Sequence, residues 1–181
     1  VELFHRTNQV PEGTEAAKHL IGHRTADVTA LQTGEWDVVL DVCGYRPHEV
    51  NALVDVFKGR IGSYAFVSTI SVYDNTIPLG SNESAQLVST KVLHGVDPIT
   101  VEMSGQVYGP LKVLCEQAVT SAYDNHLIIR PTYVLGKEDY TNRFNQWVDR
   151  VAAGGPVAAP NPPQAPFQYI DYRDLAEFTV H

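Results

Sequence analysis

The stretch Tyr108-Gly-Pro-Leu-Lys112 begins a segment with the apolar periodicity of an amphipathic helix. The apolar positions of this segment are Val107, Leu111, Leu114, Cys115 and Ala118. On a helix, Tyr108 and Lys112 lie four residues apart on one face, close enough for their side chains to interact. An ammonium group that close to a phenol favours the phenolate form. The pair therefore predicts a proton-transfer site that works near neutral pH.

A buried β-strand upstream of this helix is predicted to end in a cluster of hydroxyl groups. The stretch Tyr64-Ala-Phe-Val-Ser-Thr-Ile-Ser-Val-Tyr73 begins with aromatic and apolar residues and continues into Ser68, Thr69 and Ser71. In parallel sheets, ligands bind in the crevice at the carboxyl ends of the strands. We therefore expect this hydroxyl cluster to lie at the same site as the tyrosine and the lysine.

Segments typical of strands and helices alternate along the chain. The predicted strands are 1–4, 19–21, 36–42, 64–68, 126–130 and 167–170, and the predicted helices are 27–31, 47–57, 107–122, 142–153 and one that begins near Asp174. The near-continuous apolar run at 36–42 is typical of a strand covered on both faces. The alternation predicts an α/β fold with a parallel sheet between helices. We interpret 1–181 as a single domain, with 137–181 leading into a small substrate-binding region, and 74–106 as a surface loop that partly covers the site.

Composition and charge narrow the class of function. Of the 181 residues, 44% are hydrophobic and 19% are charged, as in ordinary globular domains. The net charge of −8 and the absence of a basic run argue against nucleic acid or an anionic membrane as partner, and favour a small molecule. The sequence shows neither a membrane-spanning stretch nor a signal-peptide pattern, so we expect a cytoplasmic protein. Cys43 and Cys115 are interpreted as core residues, not a disulfide, and no metal-ligand spacing is present.

Five segments, in order along the chain, resemble one known family. These segments are 38–44, 66–73, 108–112, 129–136 and 169–176. They resemble the short-chain dehydrogenase/reductase superfamily, in its extended or atypical epimerase/dehydratase branch. The resemblance implies a Rossmann-like, doubly wound parallel sheet that binds a nicotinamide dinucleotide. It also implies an NAD(P)-dependent oxidoreductase or epimerase/dehydratase that acts on a hydroxyl or carbonyl carbon, with a sugar nucleotide as the common substrate of the branch.

The resemblance assigns roles to individual residues. Tyr108 is the expected catalytic acid/base, and Lys112 is expected to assist it and to hold the nicotinamide ribose. Thr69 is expected to hydrogen-bond the same substrate oxygen, with Ser68 and Ser71 as alternatives at this position. The expected cofactor-binding residues are Arg6, Cys43, Gly44, Pro131, Thr132, Tyr133 and Val134, and the expected substrate-binding residues are Tyr73 and Arg143.

The choice between NADP and NAD depends on the end of the first predicted strand. An acidic residue after the second strand of the fold binds the ribose of NAD, whereas an arginine accommodates the 2′-phosphate of NADP. The first predicted strand of this chain resembles the second strand of the fold. It ends at Phe4-His5-Arg6, and no carboxylate follows until Glu12. We expect NADP(H), with NAD as the alternative.

The sequence departs from the family in its phosphate-binding turn. No G-x-G-x-x-G occurs, and the chain opens on what resembles the second strand of the fold. We interpret the chain as a fragment that lacks its glycine-rich turn and is truncated within a helix, and we expect the isolated 181 residues to bind dinucleotide poorly. Thr69 and Tyr108 are also further apart in sequence than in the family.

The fold alone does not establish catalysis. The alternative function is a non-catalytic module on the same fold, which senses dinucleotides or binds RNA. The net negative charge argues against RNA binding. The presence of Thr69, Tyr108 and Lys112 together argues against a protein that only senses dinucleotides. A homodimer is a further expectation, with the predicted helices 47–57 and 107–122 as the pairing surface.

Overall fold

The structure, a computed structural model, describes residues 1–137, 139, 141–159, 162 and 164–181. The chain divides into two compact units, Val1–Arg130 and Pro131–His181. Nowhere in the described chain is a helix long and apolar enough to span a membrane.

The first unit alternates parallel strands with helices. Its strands are β1 (Glu2–His5), β2 (Lys18–Ile21), β3 (Trp36–Asp41), β4 (Ile61–Val67) and β5 (His126–Ile129). Its helices are α1 (Pro47–Phe57) and α2 (Gly105–Ala122), with short 3-10 helices at Thr29–Leu31, Ile70–Val72 and Thr90–Leu93. Strand β1 pairs with β2, and β3, β4 and β5 form a second sheet; both sheets are parallel. The predicted α/β fold with parallel strands is confirmed.

Helices α1 and α2 cover one face of the three-stranded sheet. Tyr64 and Phe66 of β4 point into this core and are fully buried. They pack against residues of both helices, namely Val50, Leu53, Val54, Phe57, Cys115 and Val119. The alternation along β4 follows the two-residue period of a strand, so its core face is set by the sequence pattern itself.

The other face of β3 is uncovered in the described residues. The side chains of Val38 and Leu40 are 57% and 42% exposed, and Leu127 on the same face of β5 is 46% exposed. The prediction that 36–42 is covered on both faces is therefore wrong for this part of the chain. Sequence alone cannot reveal this, because an apolar run indicates that a strand favours burial and not that a covering element is present.

The long segment 74–104 packs against the helices and is not a detached loop. Arg46, just before α1, donates hydrogen bonds to the carbonyls of Pro98 at 2.6 Å and Val101 at 2.7 Å. Leu93 of the third 3-10 helix is buried with Val107 and Leu111 of α2. The predicted surface loop thus contains a short helix, and it is fixed at two places.

The second unit contains a two-stranded parallel sheet and two helices. Its elements are β6 (Tyr133–Leu135), α3 (Asn145–Ala152), β7 (Tyr169–Asp171) and α4 (Tyr172–Val180). Strand β6 was not predicted, since it is only three residues long and follows a proline. Helix α3 begins later than the predicted position 142, because Asn142 has a φ of 51°, outside the helical region. Helix α4 begins before Asp174, because Asp171 caps it by accepting a hydrogen bond from the Arg173 amide at 2.8 Å.

Helix α2 meets the 3-10 helix Ile70–Val72 at a glycine. A Cβ atom at Gly109 would lie 2.2 Å from the Ser71 carbonyl oxygen, which is backbone and cannot move aside cheaply. Gly109 therefore allows the first turn of α2 to approach the segment that follows β4. Gly105, at the start of the same helix, faces open space.

We expect Gly109→Ala to lower the free energy of unfolding by about 2 kcal/mol, because overpacking outweighs the helical preference for alanine. Urea denaturation measures this change. Gly105→Ala is the matched control, and we expect it to be neutral or stabilising. Equal effects of the two substitutions would contradict the close contact between α2 and Ser71.

Candidate active site

Lys112 joins helix α2 to the carboxyl ends of two strands. Its ammonium group donates a hydrogen bond to the Gly44 carbonyl at 2.7 Å and another to the Val67 carbonyl at 2.8 Å. Gly44 lies in the turn after β3, and Val67 is the last residue of β4. The lysine is only 3% exposed, so the predicted catalytic lysine is a buried cation at the strand ends.

The surroundings of Lys112 disfavour its charge less than burial alone would. Its ammonium lies 4.1 Å from the centre of the Phe66 ring, which gives a cation–π contact. Burial lowers the pKa of Lys112, while the negative charges of Asp41 and Glu116 oppose that shift. An ammonium has three N–H donors; two are used by carbonyls, and no acceptor among the described residues takes the third.

A buried ion pair supports the turn that contains Gly44. Arg24 donates to both carboxylate oxygens of Asp41, at 3.1 and 2.6 Å, and the Asp41 side chain is 1% exposed. Asp41 also accepts hydrogen bonds from the Tyr64 hydroxyl at 2.9 Å and from the Cys43 amide at 3.2 Å. Burial, together with the charge of Asp41, raises the pKa of Tyr64, so this phenol stays protonated and donates. The network fixes the backbone that presents the Gly44 carbonyl to Lys112.

Thr69 follows β4 directly and is 9% exposed. It caps the 3-10 helix, where its hydroxyl oxygen accepts a hydrogen bond from the Ser71 amide at 3.2 Å and its O–H group donates to the Ser71 hydroxyl at 3.2 Å. The neighbouring Ser68 hydroxyl is buried and has no partner among the described residues. Thr69 is therefore in the predicted place at the strand end, with a structural role as cap in addition to any catalytic role.

Tyr108 is half-buried in the first turn of α2, one turn before Lys112. The next residue, Gly109, is the glycine in close contact with Ser71. The same turn of helix thus lies beside the segment that contains Thr69. The structure brings together the elements that contain Thr69, Tyr108 and Lys112, and the catalytic roles of these residues stay predictions.

A second, partly buried ion pair joins helix α2 to the end of β5. Arg130, directly after β5, donates to both carboxylate oxygens of Glu116, at 3.0 and 2.7 Å. Its guanidinium also donates to the Tyr73 hydroxyl at 2.8 Å. The hydrogen bond to Glu116 raises the pKa of Arg130 above its ordinary value, so the arginine is always charged. Tyr73, a predicted substrate residue, is bound to this pair.

The predicted cofactor residues differ in their surroundings. Arg6 is exposed at the end of β1, where a ligand can reach it. Cys43 is exposed and free, so its interpretation as a core residue is wrong; it lies at a turn, and its sulfur accepts a hydrogen bond from Arg24 at 3.4 Å. Cys115 is buried as predicted, and burial raises the pKa of its thiol to about 12. The predicted residues Pro131, Thr132, Tyr133, Val134 and Arg143 belong to the second unit, and their roles stay predictions.

Sequence reasoning missed the charged residues that support the site. These residues are Arg24, Asp41, Glu116 and Arg130. Two signals could have indicated them: Asp41 interrupts an apolar strand, and Glu116 lies four residues after Lys112 on an otherwise apolar helix face. The described part of the chain contains no cluster of His, Cys, Asp or Glu that could hold a metal ion.

Comparison with known proteins places the chain by its fold. No protein-family model matches the sequence, and no curated protein matches it. Among solved structures, the chain is similar to the UDP-N-acetylglucosamine 4-epimerase from Bacillus cereus, with a TM-score of 0.66 and 15% sequence identity. The similarity covers 99% of this chain and 62% of the epimerase chain. The predicted Rossmann-like α/β fold is confirmed, and at this identity the similarity shows the fold alone.

We expect Asp41→Asn to lower the free energy of unfolding by about 3 kcal/mol, because it leaves the Arg24 guanidinium partly buried without its counter-charge. Chemical denaturation monitored by circular dichroism gives the value. The control is Glu2→Gln at the exposed pair with Lys18, where solvent screens the charges and we expect almost no change. If Asp41→Asn lowers the free energy of unfolding as little as Glu2→Gln does, the Arg24–Asp41 pair is solvated.

Proposed function

We propose that this chain is the dinucleotide-binding part of an NAD(P)-dependent oxidoreductase or epimerase/dehydratase. The observation that carries the proposal is the position of Lys112. It is fixed between the ends of β3 and β4 with one donor left over, one helical turn after Tyr108. A structural lysine would satisfy the two carbonyls, but it would not need a tyrosine one turn before it or hydroxyls at the strand end.

The proposed reaction interconverts a hydroxyl and a carbonyl group on a substrate carbon. Tyr108 takes the proton of the substrate hydroxyl as the carbonyl forms, and returns a proton in the reverse direction. The positive charge of Lys112 favours the phenolate form of Tyr108. Thr69 hydrogen-bonds the same substrate oxygen and orients it. The bound nicotinamide supplies the hydride acceptor or donor.

The residues present fit a nicotinamide dinucleotide. The third N–H donor of Lys112 would bind a ribose hydroxyl, and the exposed side chain of Cys43, next to the buried Gly44, lies where a ligand can approach the strand ends. Arg6, exposed at the end of β1, favours the 2′-phosphate of NADP over the ribose of NAD. Ligand binding at strand ends is the general behaviour of open parallel sheets.

We propose a sugar nucleotide as the substrate. The support is the fold similarity to an enzyme named for UDP-N-acetylglucosamine, together with the hydroxyl chemistry of Thr69 and Tyr108. The chain spans 62% of the length of that epimerase, so the proposal concerns the chemistry of this part.

Substitution of Tyr108 by Phe tests the proposed acid/base. In the full-length protein we expect turnover of sugar nucleotides, followed by NMR with NADPH or NAD⁺ supplied, to fall by a factor of about a hundred or more. Cofactor affinity should change little, since the phenylalanine keeps the ring. Binding of cofactor without turnover by the unsubstituted protein would favour the dinucleotide-sensing alternative.

Tyr123→Phe is the matched control. Its hydroxyl donates to the Val54 carbonyl at 2.9 Å, away from the carboxyl ends of the strands, so its loss should lower stability and leave turnover unchanged. Unchanged turnover in Tyr108→Phe would remove the proposed acid/base.

Labelling of Cys43 tests the cofactor position independently of the substrate. We expect one thiol to react rapidly with a disulfide reagent, because Cys43 is exposed whereas Cys115 is buried with a raised pKa. In the full-length protein, saturating NADPH should slow the labelling of Cys43 severalfold. Equal rates with and without cofactor would contradict the placement of the dinucleotide at the Cys43–Gly44 turn.

A further inference from the structure

Arg130 connects four different parts of the first unit. Its Nε and one terminal nitrogen donate to the carboxylate of Glu116 on α2, while the other terminal nitrogen donates to the Tyr73 hydroxyl and to the Glu83 carbonyl at 3.0 Å. The guanidinium carbon also lies 4.9 Å from the centre of the Tyr73 ring. This arrangement needs the planar fork of an arginine, because a lysine cannot direct donors to three separate acceptors in one plane.

The hydroxyl proton of Tyr73 is not used within the described structure. The phenol oxygen accepts from Arg130, so its own proton points elsewhere, and no described residue accepts it. The Tyr73 side chain is only half-buried, so a ligand can reach the proton. A neighbouring cation makes a phenol a stronger hydrogen-bond donor. Tyr73 is therefore an oriented donor with a free proton at the end of the 3-10 helix that Thr69 caps.

Arg130 also holds the segment that follows Tyr73. The Asp74 amide donates to the Gln86 carbonyl at 2.9 Å, and the Val88 amide donates to the Val72 carbonyl at 2.8 Å. The hydrogen bond from Arg130 to the Glu83 carbonyl holds the loop 75–85 that these two backbone hydrogen bonds close. The position of Tyr73 thus depends on an ion pair formed by α2 and the end of β5.

We propose that Arg130, held by Glu116, is a positioning residue that directs the Tyr73 hydroxyl proton to an acceptor oxygen of the substrate. This rests on the proposed function and adds a specificity element to it: the substrate must carry a hydrogen-bond acceptor beside the carbon that reacts at Tyr108 and Thr69. Arg130 acts through Tyr73 and does not touch the substrate.

The test compares Tyr73→Phe, Arg130→Lys and the double variant in the full-length protein. We expect each single substitution to raise the KM for the sugar nucleotide about tenfold, with kcat and NADPH affinity changed much less. The double variant should show no further increase, since both changes remove the same hydrogen bond. Hydrogen exchange of the Asp74 and Val88 amides should accelerate in Arg130→Lys.

Arg60→Lys is the control for a purely structural arginine. Arg60 also donates to several carbonyls, those of Leu31, Gly34 and Val56, at the opposite ends of the strands. We expect it to lower the melting temperature without changing the KM or the exchange of these two amides. A KM in Arg130→Lys equal to that of the unsubstituted protein would overturn the positioning role, and so would additive effects in the double variant.

The two hypotheses fail in different ways. If the unsubstituted protein turns over no sugar nucleotide, the proposed function and the substrate role of Tyr73 are both wrong, and hydrogen exchange alone decides whether Arg130 anchors the segment. If turnover occurs and Tyr73→Phe has an unchanged KM, the proposed function stands and the role of Tyr73 is wrong.

Discussion

The first unit depends on the burial of one ammonium group between two backbone carbonyls. Lys112 bonds to Gly44 and Val67, which are the ends of two neighbouring parallel strands, and this contact fixes helix α2 along its axis. The contact at Gly109 fixes the same helix one turn earlier. Two fixed points determine the position and rotation of the first turns of α2. The position of Tyr108 follows from them.

Two ion pairs flank this buried lysine, and neither is explained by stability alone. A buried ion pair often contributes no more to stability than apolar residues of the same volume. Both pairs here instead orient backbone or side chains near the strand ends: Asp41 accepts from the Cys43 amide, and Arg130 donates to Tyr73. Their carboxylates also offset the desolvation of the Lys112 charge. The charged groups therefore act together to orient groups at the strand ends. This is typical of a site where the positions of groups matter more than the stability that each ion pair contributes.

The sequence predicted the parts of the fold that depend on local pattern. The alternation of strands and helices, the parallel pairing and the helix around Tyr108 follow from periodicity, and the candidate role of Lys112 follows from its spacing. The exposure of Cys43, the short strand β6 and the partners of Glu116 do not. Each depends on contacts between residues far apart in sequence: Arg130 is 14 residues from Glu116 and 57 from Tyr73. A charge in an apolar segment indicates that a partner exists, but not which residue it is.

The three groups of the candidate site belong both to the fold and to the proposed chemistry, so each substitution has to be judged for its effect on both. Two of the donors of Lys112 hold the strand ends, so any substitution of this lysine disturbs the fold together with the ligand site. The Thr69 hydroxyl caps a 3-10 helix, so its loss also changes local structure. Tyr108 keeps its ring when phenylalanine replaces it, and the close contact with Ser71 at the neighbouring Gly109 involves backbone and is not changed by that substitution. The enzymatic interpretation therefore depends on the oxygen of Tyr108, because substitution by phenylalanine removes that one atom and keeps the ring.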